Sequence, residues 1–351
     1  MRTDSGHRGR RTQRLRELME RLGLGALFLE RAENFAWYTN GADNRVDHAS
    51  PFGVAGVLVT ADAEYVLTTN IEAARMREEQ TPDLEVVEYP WYEERVKTVR
   101  EVAGSVSLGA DSPLPGASDV SGDVAPLRYV LDPDAIERYR RVGTDAAEAV
   151  SAATDGLEPG ISEREAAARL AAACRRRGLF TPVLLAAADG RVSAYRHPLP
   201  TGAAIEQRAM LVVCAERGGL FANLTRIVEF VEPDRELRRR QDACETILAG
   251  MREATRPGRT LADVFEDCRR LYAEAGFPDE WRLHHQGGMT GYASREVIAT
   301  PRTRDEIRAG QAFAWNPSIT GAKAEETFLL LLLEGGPEVI TSAPPAKRRT
   351  P

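Results

Sequence analysis

Along the first third of the chain, short apolar runs alternate with segments whose apolar residues recur at helical spacing. LGALFLE (24–30), GVAGVLVT (53–60) and AEYVLTT (63–69) have strand length and strand composition, and polar or glycine-containing stretches bound them. NIEAARMREEQ (70–80) and YEERVKTVREVAG (92–104) carry good helix formers with apolar positions three and four apart, which predicts helices. This alternation predicts an α/β domain. The segment GADSPLPGASDVSGDVAP (109–126), rich in Pro, Gly, Ser and Asp, closes it.

The second part opens with a predicted long helix whose Ile136, Tyr139, Val142, Ala146 and Val150 form one apolar face. Ser162 and Glu165 predict a capping box at the start of the next helix, and Gly178 predicts its end. An internal repeat then emerges. PGISEREAAARLAAACRRRG (159–178) and PGRTLADVFEDCRRLYAEAG (257–276) share Pro-Gly, a helix start, a Cys in the apolar face and a closing Gly, at an offset of 98 residues. A predicted long helix precedes each copy, over roughly 134–153 and 234–254, and apolar strand-like runs follow each. Pro-Gly before a helix is common, so chance is the competing reading. The equal lengths and shared flanking order favour duplication. Duplicated halves place a ligand cleft at their seam. The boundaries read as disorder over 1–12, an α/β domain over 13–128, a second domain over 129–343, and a disordered tail over 344–351.

Composition narrows the function classes. The chain has 351 residues, 43% apolar and 28% charged, which suits two globular domains. A net charge of -7 argues against broad nucleic-acid binding. Lysine occurs only at Lys97, Lys323 and Lys347. The four cysteines form no C-x-x-C pair, so a thiolate zinc site is not expected, and each reads as a small core residue. No apolar run follows the basic start, and TFLLLLLEGG is too short to span a bilayer, so a cytoplasmic protein without a membrane partner is expected.

The candidate chemistry lies in ordered motifs: NLTR (223–226), HHQGG (284–288), NPS (316–318) and AEETFLL (324–330), with ENFAWYTNG (33–41) near the start. Together with the duplicated domain, this set resembles the pita-bread family of methionine aminopeptidase, aminopeptidase P, prolidase and creatinase, in its two-domain branch. The resemblance implies an α/β N-terminal domain followed by an α+β duplicated pita-bread domain. It also implies two metal ions held by two Asp, one His and two Glu. The matching positions here are Val212, Asn223, His285, Asn316 and Glu325, so three acidic ligands are absent. Valine offers no donor, and asparagine offers a carbonyl oxygen without charge.

On that count the expectation is an enzyme without metal or other cofactor, similar to creatinase, acting on a C–N bond of a small amino-acid-like or amide substrate. The creatinase resemblance places a catalytic histidine at His197, in DGRVSAYRHPLPTG (189–202). His285 shares the proton transfer, and Glu325 and Glu296 orient the substrate. His284, Arg295, Tyr292, Asn223, Asn316 and Arg226 are expected to line the cleft. Arg45 and His48 are expected to reach it in a homodimer. Each has a plainer reading: a turn histidine at 197, one inward and one outward histidine at 284–285, an exposed ion pair at Arg295–Glu296, a structural Arg226. Elimination or cyclisation stays open beside hydrolysis. The alternatives are a metal-dependent Xaa-Pro aminopeptidase or dipeptidase, and a non-catalytic binding protein of the same fold.

Overall fold

The alternating runs of the first third build one mixed sheet in the computed structural model, which describes residues 5–331 and 336–342. Its strands are β1 (Ala26–Arg31), β2 (Phe52–Thr60), β3 (Glu64–Thr69), β4 (Glu85–Tyr89), β5 (Leu108–Ala110) and β6 (Ser118–Asp119), in the order β4-β3-β2-β1-β5-β6. Phe28, Leu58, Leu67, Val99 and Leu108 form a core against which the predicted second helix, Arg95–Ala103, packs. The helix expected over 70–80 is shorter. It begins at Ala73, and from Met76 to Gln80 it widens into a π turn. Both the backbone N–H and the hydroxyl of Thr81 donate to the Met76 carbonyl, which holds that wide turn.

Disorder over 1–12 is corrected for the described part of that segment. A helix, α1, runs from Ser5 to Leu22. Arg11 is buried and donates to the Trp37 carbonyl (2.6 Å), Thr12 shares a hydrogen bond with the Tyr38 hydroxyl (2.9 Å), and Leu15, Leu18 and Met19 are buried. Its basic, polar sequence gave no hint of this docking, which the partners at Trp37 and Tyr38 create. Residues 1–4 and the tail 344–351 lie outside the described residues. No helix among the described residues is long and apolar enough to cross a membrane.

The chain divides into two units, Met1–Tyr129 and Val130–Pro351. In the second, α2 (Pro133–Asp155) buries Tyr139, Val142, Ala146 and Val150 along the predicted face, capped by Asp132. Next come α3 (Glu163–Arg176), β7 (Phe180–Ala188), the short α4 (Gly190–Ala194), and the hairpin β8 (Arg208–Arg217) with β9 (Leu220–Glu229). The second copy supplies α5 (Arg235–Ala254), α6 (Leu261–Glu274), β10 (Gly287–Thr290), β11 (Val297–Ile298), β12 (Gln311–Trp315), the small hairpin β13 (Ser318–Ile319) with β14 (Ala322–Lys323), β15 (Glu326–Leu330) and β16 (Glu338–Val339). The sheets are β7-β8-β9 and β11-β10-β12-β15-β16.

The repeat is real at the level of single hydrogen bonds. Gly160 and Gly258 both have positive φ (91° and 84°), and their N–H groups donate to Ile205 and Ile307. Both helices end in a Schellman motif on a left-handed glycine. Leu179 N–H reaches Cys174 and Phe277 N–H reaches Tyr272, while Gly178 and Gly276 reach Arg175 and Ala273. The capping box predicted at Ser162–Glu165 is only half formed. The Ser162 hydroxyl accepts from Glu165 N–H, but the Glu165 carboxylate turns to Arg169. The complete box is Thr260–Asp263 in the other copy. The two sheets meet where Asn223 N–H donates to Thr327 Oγ1 (2.8 Å) and the Thr327 hydroxyl returns to the Asn223 carbonyl (2.9 Å).

Candidate active site

Three histidines from two distant segments meet near this seam. His197 lies on the loop after α4. Two carboxylates, the buried Glu163 and the half-buried Asp189, hold that loop. Glu163, at the start of α3, accepts from Ala188 N–H (2.8 Å), Arg191 Nε (2.8 Å), Thr201 N–H (2.8 Å) and the Thr201 hydroxyl (2.6 Å). Asp189, in the left-handed region at φ 48°, accepts from the N–H groups of Glu206, Gln207 and Arg208. The loop is therefore pinned at both ends while His197 stands exposed on it.

His284 and His285 follow a 3-10 turn, Glu280–Leu283, and lead into β10. His197 Nε2 lies 3.2 Å from His284 Nε2. His284 is 9% exposed, and its Nδ1 lies 3.1 Å from Ser318 Oγ. The His285 ring centroid lies 4.6 Å from that of His284, and its Nδ1 accepts a long bond from Gly287 N–H (3.3 Å). Gly287 is required by space as well as by φ. A Cβ there would meet the Ala314 carbonyl oxygen at 2.0 Å. One ring nitrogen from each histidine can be chosen so that all three lie within 4.8 Å of one another.

Burial and neighbouring cations keep these rings neutral. Burial first, then Lys323, pushes His284 down to about 2. Burial and then Arg295 push His285 down to about 4. His197 is lowered by partial burial and by Lys323. The counterweight is Glu325, 3% exposed, which contacts Lys323 Nζ (2.9 Å), Arg295 Nη2 (3.1 Å) and the Thr225 hydroxyl (2.7 Å). Burial alone would raise its pKa. The two cations outweigh burial and hold it at about 2.

The sequence-predicted residues separate accordingly. His197, His284, His285, Arg295 and Glu325 come together. Glu296 does not join them as a second acid. Its Oε1 accepts from Tyr292 and Ala293 N–H, stabilising its own turn. Arg295 pairs with Glu325 rather than with its sequence neighbour. Tyr292 is 1% exposed and its hydroxyl accepts from Arg138 (2.7 Å), so it is packed rather than lining a cleft. Arg226 donates to the carbonyls of Thr225 and Thr341, a structural role. Asn223 and Asn316 are 0% and 3% exposed, each with a side-chain carbonyl oxygen that has no hydrogen-bond partner. Arg45 and His48 belong to the first unit, where Arg45 grips Asp43 through two bonds (2.8 and 3.0 Å) and His48 lies in an exposed turn. Sequence reasoning missed Lys323. Its rarity in an arginine-rich chain, two residues before Glu325, was the available signal.

Comparison with known proteins places the chain among peptidases. A family model described as "Creatinase/Prolidase N-terminal domain" matches residues 11–114, and one described as "Metallopeptidase family M24" matches residues 137–331. An Xaa-Pro dipeptidase of Pyrococcus horikoshii is 24% identical over 91% of this chain and 94% of its own length. The Pyrococcus furiosus enzyme of the same name is 23% identical over 94% and 97%. Among solved structures, the prolidase from Pyrococcus furiosus aligns with a TM-score of 0.78 at 19% identity, covering 93% of this chain and 99% of that one. Aminopeptidase P from E. coli aligns at 0.73 and 13%, covering 97% and 96%. The pita-bread architecture with its creatinase-type N-terminal domain therefore stands.

The expectation of a metal-independent enzyme similar to creatinase is overturned. The model covering the second unit is one of metallopeptidases, and the relatives aligned over nine-tenths of the chain are Xaa-Pro dipeptidases. The five positions that would hold a pair of metal ions nevertheless do not fit a pair. Val212 packs among Leu185, Ala187, Val192 and Met210. Asn223 and Asn316 bring no charge, and Glu325, the remaining carboxylate, is already engaged by Lys323, Arg295 and Thr225.

Proposed function

We propose, from the premise that this chain belongs to metallopeptidase family M24, that it hydrolyses the amide bond of a small dipeptide with a free carboxylate, the Xaa-Pro class named in its relatives. The observation that carries this reading is the convergence of the three neutral histidines beside Glu325, Lys323 and Arg295. Amide hydrolysis needs a base that takes the proton of the attacking water, and a neutral imidazole is suited to that. It also needs a cation to fix a small substrate. Two cations face one carboxylate here, which leaves net positive charge, and the buried Arg295 Nε has no hydrogen-bond partner. A substrate carboxylate is the natural complement. Lys323 and Glu325 hold one another in place at that charge. A cytoplasmic homodimer goes with this reading.

The test is proline release from a panel of Xaa-Pro dipeptides and their carboxamides, with zinc, cobalt or manganese supplied. We expect release from the free dipeptides, with the carboxamides slower by roughly tenfold or more, the value of a charge-assisted hydrogen bond. His284→Asn abolishes release. Absence of release from every dipeptide with each metal would overturn the reading.

A further inference from the structure

We propose that His197, His284 and His285 bind one divalent transition-metal ion of the zinc class. This site differs from the carboxylate pair that the family resemblance implies, sharing only His285 with it. It rests on the dipeptidase reading only for the claim that the ion serves hydrolysis.

The distances come first. Nitrogens bound about 2.0–2.1 Å from a tetrahedral ion stand about 3.3 Å apart. The His197 and His284 Nε2 atoms lie 3.2 Å apart, and one ring nitrogen from each of the three histidines can be chosen so that all lie within 4.8 Å of one another. A hydrogen bond between two imidazoles would account for two of these rings but not for the third. The orienting contacts come second. His284 Nδ1 faces the Ser318 hydroxyl at 3.1 Å, so an Nδ1–H donor there leaves the Nε2 lone pair aimed at His197. Ligating histidines take their tautomer from such an outer partner. His285 completes the set with its ring centroid 4.6 Å from that of His284 and 6.0 Å from that of His197. The loop pinned by Glu163 and Asp189 brings the His197 ring, whose Nε2 meets His284 Nε2 at 3.2 Å.

The donor set also states which ions belong. Three imidazoles suit zinc, cobalt, nickel or copper and disfavour magnesium and calcium, which need oxygen ligands. Lys323 and Arg295 nearby, both paired with Glu325 among the described residues, add positive charge around the ion. The fourth ligand is therefore an anion: hydroxide, or a carboxylate of the substrate.

The experiment titrates metal-stripped full-length protein with Co2+ alone and reads its visible ligand-field absorption. We expect saturation at one equivalent per chain, displacement by Zn2+, and no displacement by excess Mg2+. His197→Ala, at an exposed position, and His284→Asn each weaken binding strongly. Ser318→Ala weakens it by roughly 10–100-fold, the effect of losing an outer-shell partner. Arg169→Ala, at an exposed position of α3, leaves the titration unchanged. Thermal melts of each variant confirm folding. No saturable Co2+ absorption, or saturation that survives His197→Ala and His284→Asn together in a folded protein, would overturn the site. Trio-dependent Co2+ binding without dipeptide cleavage would leave the site standing and sink the dipeptidase reading. Cleavage without trio-dependent binding would do the reverse.

Discussion

The two copies of the helix repeat share their punctuation and differ in what they begin with. α3 and α6 both follow a Pro-Gly turn and both close on a Schellman glycine. Their first residues are Glu163 and Leu261, each 0% exposed. Leu261 packs in the core. Glu163 instead spends its carboxylate on four donors that flank the His197 loop. The second copy needs no such clamp, because His284 and His285 run directly into β10. Backbone caps preserve a duplicated frame, while one buried side chain diverts one copy into carrying the loop that bears His197.

The largest test of that contrast is Glu163→Leu, which gives the first copy the residue of the second. It leaves the Ala188 and Thr201 N–H groups and Arg191 without their acceptor, and we expect a loss of about 3–5 kcal/mol in urea unfolding. The loss depends on pH. Burial alone would raise the Glu163 pKa, but the bonds from Thr201, Ala188 and Arg191 outweigh it and hold the value below the ordinary carboxylate range. Its stabilisation is therefore present above the unfolded-state pKa and disappears as pH falls through the folded-state value. Wild type and variant should converge in stability on acidification. A cost below about 1 kcal/mol would mean the clamp carries no energetic weight.

A smaller effect tests the shared closing turn. Gly178→Ala and Gly276→Ala force a side chain into the left-handed region at φ 69° and 84°. The added Cβ would meet Arg217 Cδ at 3.8 Å and Arg239 Nη1 at 3.3 Å, both on flexible side chains. Backbone strain alone should cost about 1–2 kcal/mol in each, measured by denaturant midpoint. Unequal costs would break the equivalence of the two ends.

The smallest effect separates the starts. Ser162→Ala and Thr260→Ala should each cost about 1 kcal/mol as lost N-caps. Asp263→Ala should then lower the melting temperature more than Glu165→Ala, because only Asp263 returns a bond to its cap residue. Equal shifts would show that the incomplete box makes no difference.

Much of this was written in the linear chain. The repeat, its closing glycines and the amphipathic α2 are local features, set by period and by backbone conformation over a few residues. The ordered motifs around Asn223, His285, Asn316 and Glu325 marked the family and the missing carboxylates. Partners were not legible. Tyr292 meets Arg138 and Glu296 turns back on its own loop, so neither keeps the role its position suggested. Lys323 stood out in the sequence by its rarity, but its pairing with Glu325 at 2.9 Å came only with folding. The sequence by itself determined the frame and the identity of the donors, since both follow from residue type and spacing. Only the tertiary structure decided that His197, 87 residues before His284, joins it at 3.2 Å. Side-chain partnership across such separations depends on how buried charges are satisfied throughout the domain, and no local pattern encodes that.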